Sequence, residues 1–121
     1  MNFANLGPNV FYFNIQDALK LFVDCLEFKI EYDNRQSSEP FCVVAKDGLR
    51  INLFENEKLA KEHHPEFRLV TSNIEEVYAQ ISSAYPEFLH PNLSRITLRE
   101  WGAKELALRD MQLGIVIQQW E

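Results

Sequence analysis

Glycine is scarce and scattered. The chain has four, and no two stand close enough to form the glycine-rich turn that wraps a phosphate, which excludes a P-loop or a dinucleotide fingerprint. Cysteine is equally sparse. Cys25 and Cys42 lack metal-type spacing and are too few for a disulfide framework, so they are expected to be reduced thiols packed as small hydrophobes. No apolar run approaches the length that spans a bilayer. Basic residues are the minority, 12 Lys and Arg against 18 Asp and Glu, for a net charge of −6. That argues against nucleic acid and anionic membranes as partners, since both need a basic face, and it is compatible with a cationic ligand. The opening MNFANLGPNV has neither the basic region nor the apolar core of a secretory leader, so a cytoplasmic location is expected. No Ser-His-Asp or Cys-His arrangement is legible from motif or spacing. His63 and His64 fall in KEHHPE and His90 in FLHPN. All three are read as solvated loop residues, because none occupies a strand position and adjacent loop histidines do not readily share one metal.

What is present is a phrase written twice. Residues 48–54 read GLRINLF and residues 114–120 read GIVIQQW: a glycine, a strand-like run, then an aromatic. Asn52 in the first lines up with Gln118 in the second. Two helix starts repeat in the same order, NIQD at 14–17 and NIEE at 73–76. In each, an asparagine is placed to accept from the free amides of the first turn, and Asp17 or Glu76 can reach back to the cap. The apolar spacing then recurs. Ile15, Ala18, Leu19, Phe22 and Leu26 form one stripe, and Ile74, Val77, Tyr78, Ile81 and Tyr85 the other. Both follow the i, i+3, i+4, i+7 face of a helix.

Strand patterns surround these helices. Asn9–Phe13 and Glu66–Thr71 precede them. Lys29–Tyr32, Phe41–Ala45 and Leu49–Phe54 follow the first, the last two joined by the hairpin signal Lys46-Asp47-Gly48. A strand near Arg95–Leu98, then Lys104–Arg109 and Ile115–Trp120, follow the second. Each half reads β-α-β-β-β. The predicted class is α+β, a single domain over 1–121 made of two modules, about 1–55 and about 66–121, with Glu55–Pro65 as a polar linker. At 121 residues and 46% hydrophobic content, the chain can bury a moderate core.

A duplicated unit of this kind resembles the vicinal oxygen chelate superfamily of glyoxalases, bleomycin resistance proteins and dioxygenases, and among them the bleomycin resistance proteins most. The resemblance rests on NIQDALKLF followed by CLEFKIEYDN, where the family favours a Leu-Gly-Phe-like turn, and on WGAKELALRD before the last hairpin. The family commonly has a Trp-Gly, a strand, and Asp-Pro-x-Gly. Here Trp101-Gly102 and Asp110 are in place, but the turn is one residue longer and lacks the proline. The resemblance implies two curved mixed sheets around a cleft, helices on the outer faces, and a homodimer.

It also implies four metal positions, which fall here at Gly7 or a neighbour, Asn52, Glu66 and Gln118. Such a metal needs imidazole, carboxylate or thiolate donors, and this set offers one carboxylate, two neutral amides and a residue with no donor. No metal, no cofactor and no catalytic residue is therefore expected.

Strand alternation assigns the faces. Val10, Tyr12, Ile51, Leu53, Phe67, Leu69, Ile115 and Ile117 share one parity and face the helices. Phe11, Arg50, Asn52, Phe54, Glu66, Arg68, Val116, Gln118 and Trp120 share the other, a mixed polar and aromatic surface of the kind that lines small-molecule pockets. With Trp101, which stands where the resemblance puts a drug groove, and Phe41 after the polar stretch Asn34–Pro40, the candidate ligand-binding set is Phe11, Phe41, Arg50, Asn52, Phe54, Glu66, Arg68, Trp101 and Gln118. Three functions compete. The first is metal-independent sequestration of a drug-like, bleomycin-like molecule in a dimer groove, without chemistry. The second is a metal-dependent lyase or dioxygenase. The third is a dimeric interaction module whose cleft is filled by Phe11, Phe54 and Trp120. Arg50 and Arg68 make the local field less negative than the net charge suggests, which weakens bleomycin itself as ligand more than it weakens ligand binding.

Overall fold

Asn14 decides where the first strand must end. Its backbone is extended, with φ −133°, and its side chain accepts from the Gln16 amide at 2.9 Å, so helical geometry begins at the next residue. Strand β1 accordingly covers Asn9–Tyr12, and Phe13, expected in the strand, is an exposed residue of the turn. The computed structural model describes all 121 residues, which form two compact units, Met1–His63 and His64–Glu121. Each unit carries one β-α-β-β-β copy and is described by itself.

In the first unit, helix α1 (Ile15–Leu19) widens directly into a π-helical segment, Lys20–Cys25, in which Leu26 donates its amide to Leu21 O at 2.9 Å. Ile15, Ala18, Leu19 and Phe22 are buried as their spacing predicts. Leu21 and Cys25 are buried too, because the wider turn rotates later residues relative to a regular stripe; Leu26 is left half-buried. The segment ends on Glu27 in the left-handed region, φ 63°, with Phe28 donating to Phe22 O at 2.8 Å. Glycine is the usual occupant of that position. The turn folds Phe28 back onto Phe22, ring centroids 5.8 Å apart and edge to face.

Strands β2 (Lys29–Asn34), β3 (Phe41–Lys46) and β4 (Leu49–Glu55) complete a mixed sheet in the order β1-β4-β3-β2, with β1 parallel to β4 and the other pairs antiparallel. Lys46 pairs with Leu49 across Asp47-Gly48, whose φ values of 52° and 83° make the two-residue hairpin that Asp-Gly signals. In β2 the register shifts between Ile30 and Tyr32, so Glu31 is the extra residue of a bulge.

The expected polar linker contains a helix. Segment α2 spans Glu57–Glu62 and belongs to the first unit. Asn56 Oδ1 accepts from the Leu59 amide at 3.0 Å, Lys61 and Glu57 pair along one side, and Ala60 is fully buried. Its single buried position is too few to register as a stripe, so only the Asn56 cap could have announced it.

The second unit repeats the plan with β5 (Glu66–Val70), α3 (Ile74–Ala84), a short 3-10 turn at Pro86–Phe88, β6 (Thr97–Leu98), β7 (Lys104–Arg109) and β8 (Gly114–Gln119). The sheet order is β5-β8-β7-β6, with β5 parallel to β8. At Asn73 the cap forms with Oδ1 accepting from the Glu76 amide at 3.2 Å, but the reciprocal arm differs from a capping box: Glu76 Oε2 accepts from Asn73 Nδ2 at 3.3 Å, while the Asn73 backbone amide donates to Thr71 Oγ1 at 3.2 Å. Ile74 and Ile81 are buried, and Val77, Tyr78 and Tyr85 half-buried. The β7–β8 turn, which lacks the expected proline, is held by Asp110: its Oδ1 accepts from the amides of Gln112 at 2.8 Å and Leu113 at 3.0 Å. No helix is long and apolar enough to cross a membrane.

The face assignment holds in the first unit, where Val10, Tyr12, Ile51 and Leu53 are buried and Phe11, Asn52 and Phe54 half-buried. It needs correction in the second. Both faces of β7 and β8 are buried through the middle, so Val116 and Gln118 are interior rather than part of an open surface, while Phe67 and Leu69 are only half-buried. The chain segment after α3 lies along the edge of β7, with His90 donating to Ala107 O, Ala107 to Leu93 O, and Leu89 bridged to Leu108. Trp120 lies beyond β8 and is 51% exposed, so it fills no interior.

Candidate functional site

In the first unit, pairing across the sheet brings three of the candidates together. Phe54 on β4 is the register partner of both Phe41 on β3 and Phe11 on β1. The rings of Phe41 and Phe54 lie 4.6 Å apart, Phe11 and Phe54 5.5 Å, and Tyr32 joins Phe41 at 5.7 Å. His63, exposed in the loop as expected, stands 5.9 Å from Phe11 with its ring tilted. Phe11, Phe41 and Phe54 remain half-buried and Tyr32 exposed, so an apolar ring surface is offered to solvent.

Arg50 and Asn52 continue the same row of β4 away from the rings. Arg50 is ion-paired with Glu31, the bulge residue of β2. It also lines a groove of about 670 Å³ with Glu27, Lys29, Lys46 and Asp47, charges of both signs. Asn52 Nδ2 donates to Asn9 Oδ1 at 3.0 Å and Gly7 O at 3.3 Å. The aromatic cluster lies outside that groove.

In the second unit, three candidates converge on a residue that the sequence reading passed over, and a fourth, Glu66, joins them through Arg68. Glu105 Oε2 accepts from Gln118 Nε2 at 2.6 Å, from the Trp101 indole at 3.1 Å and from Arg68 Nη1 at 3.3 Å. Arg68 reaches Glu66 with its other terminal nitrogen, also at 3.3 Å. Arg99 places Nε 3.8 Å from Glu105 Oε1 and lays its guanidinium over the Trp101 ring, 4.7 Å from the centroid. Glu105 is 2% exposed. Burial alone raises a carboxyl pKa, but the hydrogen bonds from Gln118 and Trp101, with the charges of Arg68 and Arg99, together outweigh it and hold Glu105 below the usual glutamate range. The residue is therefore a buried anion whose contacts fix Trp101 and Gln118.

The signal for Glu105 was available. It is the cross-strand partner of Gln118, and an acid running directly into the apolar strand stretch Leu106–Leu108 asks for a partner if the strand is buried. Arg99 had no such signal, since it sits in the turn Arg99–Ala103 that only the fold closes, with the Arg99 amide donating to Ala103 O.

The second unit also holds a cavity of about 400 Å³ lined in part by His64, Glu66, His90 and Arg99. The solvated reading is corrected here for His90, while His64 is exposed as expected. His64 Nδ1 bonds the Gln112 carbonyl oxygen at 3.2 Å, and the half-buried His90 accepts the Asn92 amide on Nδ1 at 3.1 Å. Both rings sit where the chain returns to the sheet.

A divalent metal does not fit the positions that the resemblance assigns. Asn52 has its amide committed within the first unit, Gln118 donates to Glu105, Glu66 is paired with Arg68, and Gly7 has no donor side chain. Amide oxygens are weak ligands for divalent transition metals, and no cluster of three histidine, cysteine, aspartate or glutamate side chains is arranged to supply better. The thiols lie apart from these faces. Cys42 is fully buried, and burial, with Asp33 beside it at 3.6 Å, pushes its pKa up.

No protein-family model matches the chain, and no curated protein matches it by sequence. Solved structures do. A bleomycin-binding protein in complex with bleomycin shares 21% identity over 97% of this chain and 98% of its own, with a TM-score of 0.71. TioX from Micromonospora sp. ML1 aligns over 97% and 98% at 10% identity, TM-score 0.79. A glyoxalase-related enzyme from Clostridium phytofermentans aligns over 100% and 98% at 12% identity, TM-score 0.74. The chain therefore has the fold of the glyoxalase, bleomycin resistance and dioxygenase superfamily.

Proposed function

We propose that the protein binds a drug-like small molecule without a metal and without making or breaking bonds, in the manner of the bleomycin resistance proteins, as a homodimer. The observation that carries this reading is the state of the would-be metal positions. Asn52 and Gln118 are neutral amides already hydrogen-bonded within the protein, while each unit presents an exposed aromatic surface of its own, at Tyr32 in the first and at Trp101 in the second. Such a surface suits capture of a flat apolar ligand. The bleomycin-binding protein among the fold relatives supports the direction; shared fold alone does not fix function.

The test is a titration of dialysed protein with metal-free bleomycin, followed by tryptophan fluorescence and by heat, with Trp101→Ala as control. Saturable binding at one site per subunit, lost in the control, is expected. A flat titration removes bleomycin as ligand. Sedimentation at micromolar concentration checks the dimer, and a turnover activity abolished by chelation would overturn the metal-free reading in favour of a lyase or dioxygenase.

A further inference from the structure

The second-unit cavity has a chemistry of its own. Its floor is apolar, formed by Leu93, Ala107 and Val116, and its polar wall is Arg99 and His90, with Glu66 on the same lining. Arg99 carries five N–H donors in a planar fork. Only Nε approaches an acceptor, Glu105 Oε1 at 3.8 Å, longer than a hydrogen bond. The side chain is 35% exposed, so the fork is partly desolvated and steadied by its seat on Trp101. His90 accepts the Asn92 amide on Nδ1. That places the proton of the neutral ring on Nε2, which makes the other nitrogen a donor.

Two donors on an apolar cavity ask for an oxyanion, and the surrounding charges choose which. Glu66 and Glu105 offset much of the charge of Arg68 and Arg99, so a second negative charge on the ligand would add repulsion, and a monoanion is favoured over a dianion. A planar monoanion matches the fork bidentately. A volume of about 400 Å³ sits at the small end of ligand pockets. We propose that this cavity takes the carboxylate of a small apolar acid, held by the guanidinium of Arg99 and Nε2 of His90. The inference deepens the small-molecule binding reading, and rests on it, by assigning one functional group of the ligand.

Benzoate and its neutral isostere benzamide are the probes, titrated into the full-length protein and followed by amide NMR. Benzoate is expected to shift the amides of Asn92, Leu93 and Ala107 saturably. Benzamide should bind about tenfold more weakly, the scale of one lost charge-assisted contact, and Arg99→Gln should erase the difference. The wild-type comparison stands even if that variant folds poorly. Equal binding of the two probes would overturn the carboxylate assignment while leaving a binding protein. Inorganic phosphate competing as well as benzoate would overturn the preference for a monoanion. No saturable shift with either probe would overturn the site, and the bleomycin titration of the unaltered protein, a separate experiment with a different ligand, would still decide the wider reading.

Discussion

Replacing Glu105 by glutamine tests whether a buried charge organises the second unit. The side chain is 2% exposed, and glutamine keeps its shape. It does not keep its acceptors. Gln118 and the Trp101 indole both donate to Oε2, and each falls from a charge-assisted to a neutral hydrogen bond, a loss of roughly 1 kcal/mol apiece. The new amide also turns N–H groups toward Arg99, which is itself only a donor. Arg68 and Arg99 are 49% and 35% exposed, so water takes them up and their ion pairs add under about 1 kcal/mol. Relief of the cost of burying a carboxylate works in the opposite sense. The net expectation is a loss of about 2 kcal/mol at neutral pH, or roughly 5–10 °C in melting temperature for a chain of this size. Both tryptophans, Trp101 and Trp120, lie in the second unit, so their fluorescence reports its unfolding in urea. The pH dependence supplies the sharper check. The folded pKa of Glu105 is below its unfolded value, so its stabilisation is fully present above the unfolded pKa and disappears as pH falls through the folded one. The gap between wild type and Glu105→Gln should therefore close on acidification below about pH 4. A variant as stable as wild type at pH 7, or a gap unchanged by acid, would refute the reasoning.

Other expectations follow from single contacts. Glu27→Gly should stabilise the first unit by about 1 kcal/mol, because the residue sits at φ 63°, where a side chain is strained; a destabilised variant in thermal melts would show that Glu27 makes a compensating contact. Asp110→Ala should cost about 1–2 kcal/mol in urea unfolding by stripping the acceptor from the Gln112 and Leu113 amides. Native protein should resist thiol reagents at pH 8 and react fully once unfolded, since Cys42 is buried with a raised pKa and Cys25 is buried. Phe54→Ala should weaken ligand binding more than Phe41→Ala or Phe11→Ala, because Phe54 is the ring that touches both others, as calorimetry with whichever ligand binds would read.

The duplicated plan was legible because it is carried by local chemistry. Asn14 and Asn73 cap their helices as their sequence positions predict, Asp47-Gly48 turns its hairpin, and the strand alternation of the first unit matches its burial. What escaped is what the chain does at a distance. The π-helical segment depends on a bond from Leu26 to Leu21, which no stripe records. Helix α2 buries only Ala60. Glu105 and Arg99 acquire meaning only when β7, β8 and the turn before them meet. Even the pair that first marked the repeat diverges: Asn52 is half-buried and held by Gly7 and Asn9, whereas Gln118 is buried and held by Glu105.

The bulge at Glu31 bears on what happens when many copies of the chain are crowded together. Strand β2 is exposed along its whole length and borders the sheet, and Ile30 and Tyr32 lie open on it. An edge of this kind is a template on which a stray strand could lengthen the sheet into a fibre. The extra residue breaks the even ladder of amides and carbonyls, and Lys29, Glu31 and Asp33 put a charged side chain at every second position of the border. An incoming strand that kept register on one side of Glu31 would lose it on the other, so the bulge opposes lengthening of the sheet at this border.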